Sequence, residues 1–488
     1  MTMARQWTVM VYMAGDTGLV FEGPITGEQL FDDLSDAMRA DLKKMEAAGS
    51  TDEVAVCVQF DSLEAKQAFR WVLPRRDDPT PAQPEPIGAV NTGEPSSLSD
   101  FAAWAGKMCP AAHYALIIWG HGSGWDEQDL YARYPDSEVA QIDRADQRDV
   151  LRRRGIFGST VARIMSIEDS EVRGLCYDDS ARDFLDNAEL RQALRTAAAH
   201  LGRDHIDLLG LDACLMNMIE VAHQIRRETA YLVGAETVVP TDLWPWTEIL
   251  LALQAAPAMA PAELAVALAG YLPSGSDGMR SIDDVAQSVL DLARADEAVQ
   301  ALDAWSAAVL ARYDVGYDVQ QAIQKALRTG YDSVLRLQIP GIGDTDYVDL
   351  PDLVRRFVVE YALVDVDKFL ALLEGGEAGL AYADAELLRL TARLLQAVWP
   401  GGAGSLVVHS HIEGFDYGSQ PGGLSIYLPA LDDPWREIKE ISPQYGNLDL
   451  SDTAWPELIC KLYEKDGLPQ AFTQLRDERR AGETGGEP

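Results

Sequence analysis

The segment from Leu208 to Asn217 constrains this chain more than any other. It reads Leu-Leu-Gly-Leu-Asp-Ala-Cys-Leu-Met-Asn, so an apolar strand runs into Cys214 and a helical pattern follows at once. This arrangement places the thiol at the carboxyl edge of a sheet, beside a helix N-terminus whose dipole favours an anion. The sequence therefore predicts a cysteine with a lowered pKa at this edge.

A second apolar strand, Tyr114–Trp119, ends in a glycine-lined loop that contains His121. The flanking glycines let the backbone approach a substrate closely. Because the carboxyl ends of parallel strands share one edge, we expect His121 to meet Cys214, and these are the parts of a cysteine peptidase. The alternative is a buried apolar cysteine and a structural histidine. Asp212 argues against it, because an unpaired carboxylate must be solvated or face a cation.

Further segments accompany these two motifs in a fixed order. They are Trp7–Leu19, Val90–Pro95, Arg173–Asp179, Glu189-Leu190, Gly234–Glu236, Pro240–Pro245 and Gly423–Pro429. With Trp119–Gly122 and Asp212–Cys214, they resemble the clostripain-like family of cysteine peptidases, which is related to caspases, legumains and gingipains. Thr241 and Leu243 depart from it, because glycines are common at both positions in the family.

The resemblance implies a catalytic dyad without a third member. Cys214 would attack the scissile carbonyl as a thiolate, while His121 would act as general base or as a cationic partner and then protonate the leaving amine. The backbone N–H groups of Gly122 and Cys214 would form the oxyanion hole, as in caspase relatives.

Substrate specificity is predicted to depend on carboxylates. Strand alternation places the side chain of Asp212 on the same side as that of Cys214. The resemblance adds Asp242, in the loop after the next strand, although a turn residue in Pro-Thr-Asp is the alternative. Two acids in one pocket need a cation between them, and a guanidinium binds carboxylates bidentately. We therefore expect cleavage after Arg and, more weakly, after Lys.

Residues 126–174 form a polar segment between the two motifs, rich in Asp, Glu and Arg. Segments of this length without regular structure are functional or disordered, so a solvated insertion is one interpretation. The resemblance favours a processing linker, since relatives mature by cleavage at basic residues between histidine and cysteine. The candidate cleavage sites are Arg144, Arg148, Arg152, Arg153, Arg154 and Arg163. The resemblance therefore predicts that the protein is made as a zymogen, which is activated by self-cleavage or by an upstream protease.

Strands that alternate with helices predict an α/β fold, with a caspase-like, mostly parallel sheet flanked by helices and a helix-rich C-terminal region. Residues 1–250 are predicted to form the catalytic core, including the linker at 126–174. A helical region at 251–400 follows, and late strands with a helix at 401–465 complete the fold. Residues 466–488 are predicted to form a helical end and a disordered tail.

The formal charge of −37 argues against binding to nucleic acid or to anionic membranes, both of which need a cationic surface. It favours protein or peptide substrates that carry Arg or Lys, although solubility alone would also explain it. Five cysteines in apolar surroundings indicate reduced thiols. With no signal-like or membrane-spanning run near the N-terminus, we expect a cytoplasmic protein.

No cofactor or metal is predicted. Asp178, Asp179, Asp183 and Asp186 offer the hard oxygen ligands that calcium prefers, but they lack the spacing of an EF-hand loop. Two other functions stay open at this stage. One is a catalytically silent regulatory or binding protein with this fold, and the other is a cysteine-dependent acyltransferase.

Overall fold

The computed structural model describes residues 5–16, 18–20, 31–62, 65–77, 84–125, 175–178, 180–239, 243–270, 285–327, 336–339, 343–362, 369, 385–413, 421–429, 441–463 and 467–484. The predicted linker at 126–174 therefore lies outside the described residues, as does Asp242. Within the described part of the chain, no helix has the length and apolar character that crossing a membrane requires.

Nine strands of the described chain form the central sheet. In spatial order they are β15 (Val407–Glu413), β12 (Val285–Asp291), β11 (Thr229–Ala235), β10 (Ile206–Asp212), β7 (Ala111–Trp119), β1 (Arg5–Gly15), β4 (Val54–Ser62), β5 (Gln67–Val72) and β6 (Glu85–Gly88). The five strands from β11 to β4 run parallel, and the pairings on either side of them are antiparallel.

Helices cover both faces of the sheet, which explains why the parallel strands are nearly continuous apolar runs. On one face, α5 (Trp246–Ala255) and α6 (Pro261–Gly270) pack over Val9, Ala115 and Ile117. On the other face, Phe101 of α2 (Pro95–Met108) contacts the ring of Tyr12.

The remaining elements extend this arrangement. The helices are α1 (Leu34–Ala48), α3 (Asn187–His200), α4 (Ile219–Gln224), α7 (Ala295–Tyr313), α8 (Tyr317–Leu327), α9 (Leu350–Ala362), α10 (Ala385–Val398), α11 (Trp455–Leu462) and α12 (Gln470–Thr484). Two short hairpins consist of β2 (Gly18–Val20) with β3 (Phe31–Asp33), and β8 (Leu175–Asp178) with β9 (Asp183–Leu185). A three-stranded sheet contains β13 (Arg336–Ile339), β14 (Gly343–Asp349) and β16 (Ser425–Tyr427).

The predicted fold class is confirmed: the sheet is mostly parallel and helices flank it. The region 251–400, predicted as helical, also contains β12, β13 and β14. Of the late strands, β15 forms the edge of the central sheet, while β16 joins the small sheet. The domain boundaries themselves stay a prediction.

Candidate active site

The register of the sheet places His121 and Cys214 at equivalent positions. Trp119 pairs with Asp212 across β7 and β10, and each candidate residue lies two positions beyond its member of that pair. The N–H of Gly120 donates to the carbonyl of Asp212 at 3.3 Å, which extends the contact past the strand ends. The two motifs therefore meet at the carboxyl edge of the sheet, as the sequence predicts.

Gly122 lies directly against the cysteine segment. A Cβ at this position would approach the Ala213 Cβ, the Cys214 carbonyl oxygen and the Met216 Cγ to 2.8 Å. Real Cβ atoms do not come this close to backbone, so any side chain here would push the two loops apart. The glycine next to His121 is thus required for the close approach of the two motifs.

Cys214 is fully buried, and its sulfur accepts a hydrogen bond from the N–H of Val239 at 3.3 Å. Burial raises the pKa of Cys214, the hydrogen bond from Val239 lowers it and Asp212 raises it, which together give a pKa of about 12. The expected lowering of this pKa by a helix dipole is wrong for this state. The helix after Cys214 begins only at Ile219, because a turn intervenes.

The turn after Cys214 is strained and held by neighbouring backbone. Leu215 has φ of +62°, a left-handed conformation that costs a non-glycine residue about 1 kcal/mol or more. Its N–H donates to the carbonyl of Thr237 at 3.0 Å, and the N–H of Asn217 donates to that of Ala235 at 3.0 Å. The chain after β11 thus fixes the backbone that carries the thiol.

The His121 loop is fastened from two sides. The Cys176 N–H of β8 donates to the His121 carbonyl at 3.3 Å, and Gly122 forms an isolated bridge with Leu175. The Tyr347 hydroxyl of β14 donates to the Ser123 carbonyl at 2.7 Å. The imidazole side chain is buried, with 2 % of the residue exposed.

Asp212 is fully buried, and among the described residues neither of its carboxylate oxygens has a hydrogen-bond partner. Burial raises the pKa of Asp212 well above its usual range, Asp41 raises it further and Lys44 lowers it. The carboxylate of Asp41 in α1 accepts hydrogen bonds from Trp119 Nε1 at 3.0 Å and from Lys44 Nζ at 2.7 Å.

Sequence reasoning missed Asp41, although a sequence signal exists. In α1, Met38, Asp41, Met45 and Ala48 are all buried, so an acid stands within a helical stripe that is otherwise apolar. Buried acids in such stripes need a partner. Asp242 and the six candidate processing arginines lie outside the described residues, so their places in the predicted pocket and linker stay predictions.

The aspartates considered for calcium separate in the structure. Asp186 caps α3 by accepting from the Glu189 N–H at 2.6 Å, and Asp183 accepts from Asn91 Nδ2 at 2.6 Å. Asp179 lies outside the described residues. Asp178 instead groups with Asp16 and Asp61, two residues that sequence reasoning did not connect with it.

A mostly parallel sheet that brings a histidine loop and a cysteine turn to one edge defines the class of caspase-like cysteine peptidases. A family model described as the clostripain family, Peptidase C11, matches residues 163–459, a range that includes Cys214 but not His121. The chain belongs to this family and is a cysteine protease, a hydrolase of peptide bonds.

Solved structures agree with this fold. An inactive zymogen C11 protease from Parabacteroides distasonis has a TM-score of 0.50 and 14% identity, covering 88% of this chain and 93% of its own. A secreted C11 cysteine protease from Bacteroides thetaiotaomicron, bound to an irreversible peptide inhibitor, has a TM-score of 0.50 and 16% identity. The match covers 94% of this chain and 99% of the chain of that protease. A search of curated protein sequences finds no match.

Proposed function

We propose that this protease is an endopeptidase that cleaves after Arg, and more slowly after Lys, through a dyad of His121 and Cys214. We also propose that it is made as a zymogen of low activity. The observation that carries the proposal is the shared edge at which the histidine loop, the cysteine turn and the buried carboxylate of Asp212 meet.

The dyad performs acyl transfer in two stages. His121 removes the proton from Cys214 as the sulfur attacks the scissile carbonyl, and it then gives that proton to the leaving amine. Water hydrolyses the thioester, again with His121 as base. The backbone N–H of Gly122 stabilises the oxyanion. Because burial raises the pKa of Cys214 to about 12, the thiol is protonated in this state and needs a base beside it.

The charge at Asp212 supports a basic residue before the cleaved bond. Its carboxylate is buried without a hydrogen-bond donor among the described residues, and the nearby Asp41 is a second acid. A substrate guanidinium brings a cation with several donors, so it restores the ionised form of Asp212 and pairs with it. An ammonium brings one compact charge, which explains the weaker preference for Lys.

The burial of both dyad side chains supports latency. The thiol faces Val239, the end of the segment Thr237–Val239 that follows β11. Because Cys214 is 0 % exposed, a peptide carbonyl reaches the sulfur only after the surrounding structure rearranges. A similar fold is described as an inactive zymogen in one relative, while another holds an irreversible peptide inhibitor.

Activation is proposed to follow cleavage in the linker at 126–174. The sites are Arg144, Arg148, Arg152, Arg153, Arg154 and Arg163. An uncut arginine can occupy the Asp212 pocket as an internal competitor, and cleavage releases it. The cut is made by the enzyme itself or by an upstream protease. A cytoplasmic location completes the proposal, and cell fractionation tests it.

A digest of a random peptide library by the linker-cleaved protein tests the specificity, and acidic or apolar preference contradicts it. For latency, all six linker arginines are replaced with Gln. We expect this variant to stay uncut and to have low activity. Full activity in the uncut chain would contradict the proposal of a zymogen but not the assignment of peptidase activity. If Cys214→Ala stays uncut where the wild type is cut, the enzyme processes itself; if both are cut, another protease acts.

A further inference from the structure

A lysine of α1 is paired with the buried acid that lies near Asp212. Lys44 donates from Nζ to Oδ1 of Asp41 at 2.7 Å, and the side chains of these two residues are 35 % and 1 % exposed, respectively. Burial raises the pKa of Asp41 and Lys44 lowers it. A buried carboxylate is unfavourable unless a cation or a proton balances it. Lys44 supplies that cation.

The carboxylate of Asp41 is connected to the catalytic edge by Trp119. Its Oδ2 accepts from Nε1 of Trp119, the last residue of β7, at 3.0 Å. Trp119 pairs with Asp212 across β7 and β10, and paired residues of neighbouring strands project from the same face of the sheet. Asp41, Lys44 and Asp212 therefore lie on one face of the sheet, at the end of two adjacent strands. We call these three residues the charge triplet.

The charge triplet holds two buried acids and one ammonium. That ammonium donates to Asp41, whereas neither oxygen of Asp212 has a hydrogen-bond partner in the part of the chain that the structure describes. The ammonium nevertheless acts on both acids, because it lowers the pKa of Asp212 as well as that of Asp41. Lys44 therefore counters the negative charge of the site to which a substrate cation is proposed to bind.

The backbone of Lys44 is fixed, while its ammonium is partly exposed. The hydroxyl of Thr247 in α5 donates to the Lys44 carbonyl at 2.7 Å and so joins α1 to α5. The side chain has a flexible four-carbon stem, and its charged end reaches water. The ammonium can therefore leave Asp41 for solvent without any movement of α1.

We propose that Lys44 is a specificity-determining residue that competes with the basic side chain of the substrate for Asp41 and Asp212. This inference rests on the proposed function of Asp212. A guanidinium that pairs with Asp212 repels the ammonium of Lys44, because like charges in a buried site disfavour one another. Binding of a basic substrate therefore includes the loss of the pair between Lys44 and Asp41.

Steady-state kinetics of the linker-cleaved protein test this competition. The substrates are matched peptides with Arg or Lys before the cleaved bond. Lys44→Gln should lower KM for both by about two- to fivefold and leave kcat unchanged, the scale expected when a partly exposed ion pair no longer has to be broken. The inhibition constant of agmatine, which carries a guanidinium group but no peptide bond, should fall by the same factor.

Lys43→Gln is the matched control. Lys43 precedes Lys44 in α1, is exposed, and loses the same formal charge on substitution. Salt screens an exposed charge, so this variant should keep the wild-type KM. Equal changes of KM in the two variants would show an effect of net charge and would overturn the proposal.

Lys44→Arg gives a readout of the opposite sign. It keeps a cation and adds donors, so KM for basic peptides should equal or exceed that of the wild type. Should Lys44→Gln fail to fold by circular dichroism, Lys44→Met carries the same expectation, because it keeps an unbranched apolar stem. An unchanged or raised KM in the neutral variant, or a lowered KM in Lys44→Arg, overturns the proposal.

Failure of this inference is distinguishable from failure of the proposed function. If the wild type prefers acidic or apolar residues before the cleaved bond, the proposed function itself is wrong. If the wild type cleaves after Arg and Lys, but Lys44→Gln keeps its KM and its inhibition constant for agmatine, only the role of Lys44 is wrong.

Discussion

Two groups of buried carboxylates lie at the same edge of the central sheet, yet their surroundings differ. Asp178, near Asp16 and Asp61, accepts three hydrogen bonds from Thr92 and Ala181, which fix the orientation of its carboxylate. Asp212, beside the cysteine turn, receives none from the described residues. Hydrogen-bond donors favour the ionised form of a carboxylate, whereas burial without donors raises the pKa of Asp212 and suits a cation that arrives with the substrate.

A third group shows another way to balance buried acids. Glu236 accepts the Gly423 N–H at 2.9 Å, and Asp349 accepts the Asp352 N–H at 2.6 Å. Burial raises the pKa of Glu236 well above its usual range, and Asp349 raises it further. Burial and Asp352 raise the pKa of Asp349, while its hydrogen bonds, including the one with Glu236, lower it, which gives about 7. Here a proton keeps one acid neutral.

The largest expected effect lies at the catalytic edge. Cys214→Ala and His121→Ala should each lower kcat/KM for peptide hydrolysis by about 10⁴-fold or more, because neither partner acts without the other. Both variants should keep the circular dichroism spectrum of the wild type. If either variant keeps a turnover near that of the wild type, with contaminating proteases excluded, His121 and Cys214 are not the catalytic dyad.

Neutralising Asp212 should have the next largest effect. Asp212→Asn should lower kcat/KM for Arg substrates, since the substrate cation is left without its counter-ion. The expected loss of transition-state binding free energy is about 2–5 kcal/mol. Initial rates on matched Arg and Leu peptides measure the change. Asp41→Asn should cost less, because Asp41 is already paired with Lys44. Equal losses on both peptides would mean that Asp212 supports the fold and not specificity.

The protonated pair predicts how stability depends on pH. An acid whose pKa is raised on folding binds a proton as the chain folds, so stability is greatest below its unfolded pKa and falls as the pH rises through the folded value. For Asp349, the fall in stability should extend from about pH 4 to about pH 7. For Glu236, the fall should begin near the same pH. Denaturant melts from pH 5 to 8.5 should show the decline.

Glu236→Gln should flatten that decline, because the amide keeps an acceptor for Gly423 and carries no charge. Glu228→Gln is the control, since Glu228 lies at the opposite end of β11 and pairs with Arg195. A pH profile that Glu236→Gln leaves unchanged would contradict the assignment of the proton to this pair.

The smallest expected effect tests the Asp212 pocket with a ligand. In linker-cleaved protein, agmatine, a small guanidinium compound, should raise the melting temperature by about 1–3 °C. This shift should disappear in Asp212→Asn and persist in Asp61→Asn. If Asp61→Asn also removes the shift, the two groups of carboxylates form a single coupled site.

The sequence allowed much of the catalytic edge to be predicted because its signals are local. Apolar runs that end at Trp119 and Asp212 predict neighbouring parallel strands, and glycines around His121 predict a close approach of backbone. The state of the thiol could not be predicted in this way. Its pKa depends on burial and on a hydrogen bond from the N–H of Val239, a residue 25 positions away in the chain.

The sequence by itself determined the alternating strands and helices and the order of the two catalytic motifs, since periodicity and turn chemistry act over a few residues. Only the tertiary structure decided which acids become neighbours. Asp16 follows β1, Asp61 lies in β4 and Asp178 ends β8, yet the three are neighbours, and Asp41 of α1 acts on the pKa of Asp212 at the end of β10. Electrostatic interaction depends on distance in space and on exclusion of water, and neither quantity can be read from separation along the chain.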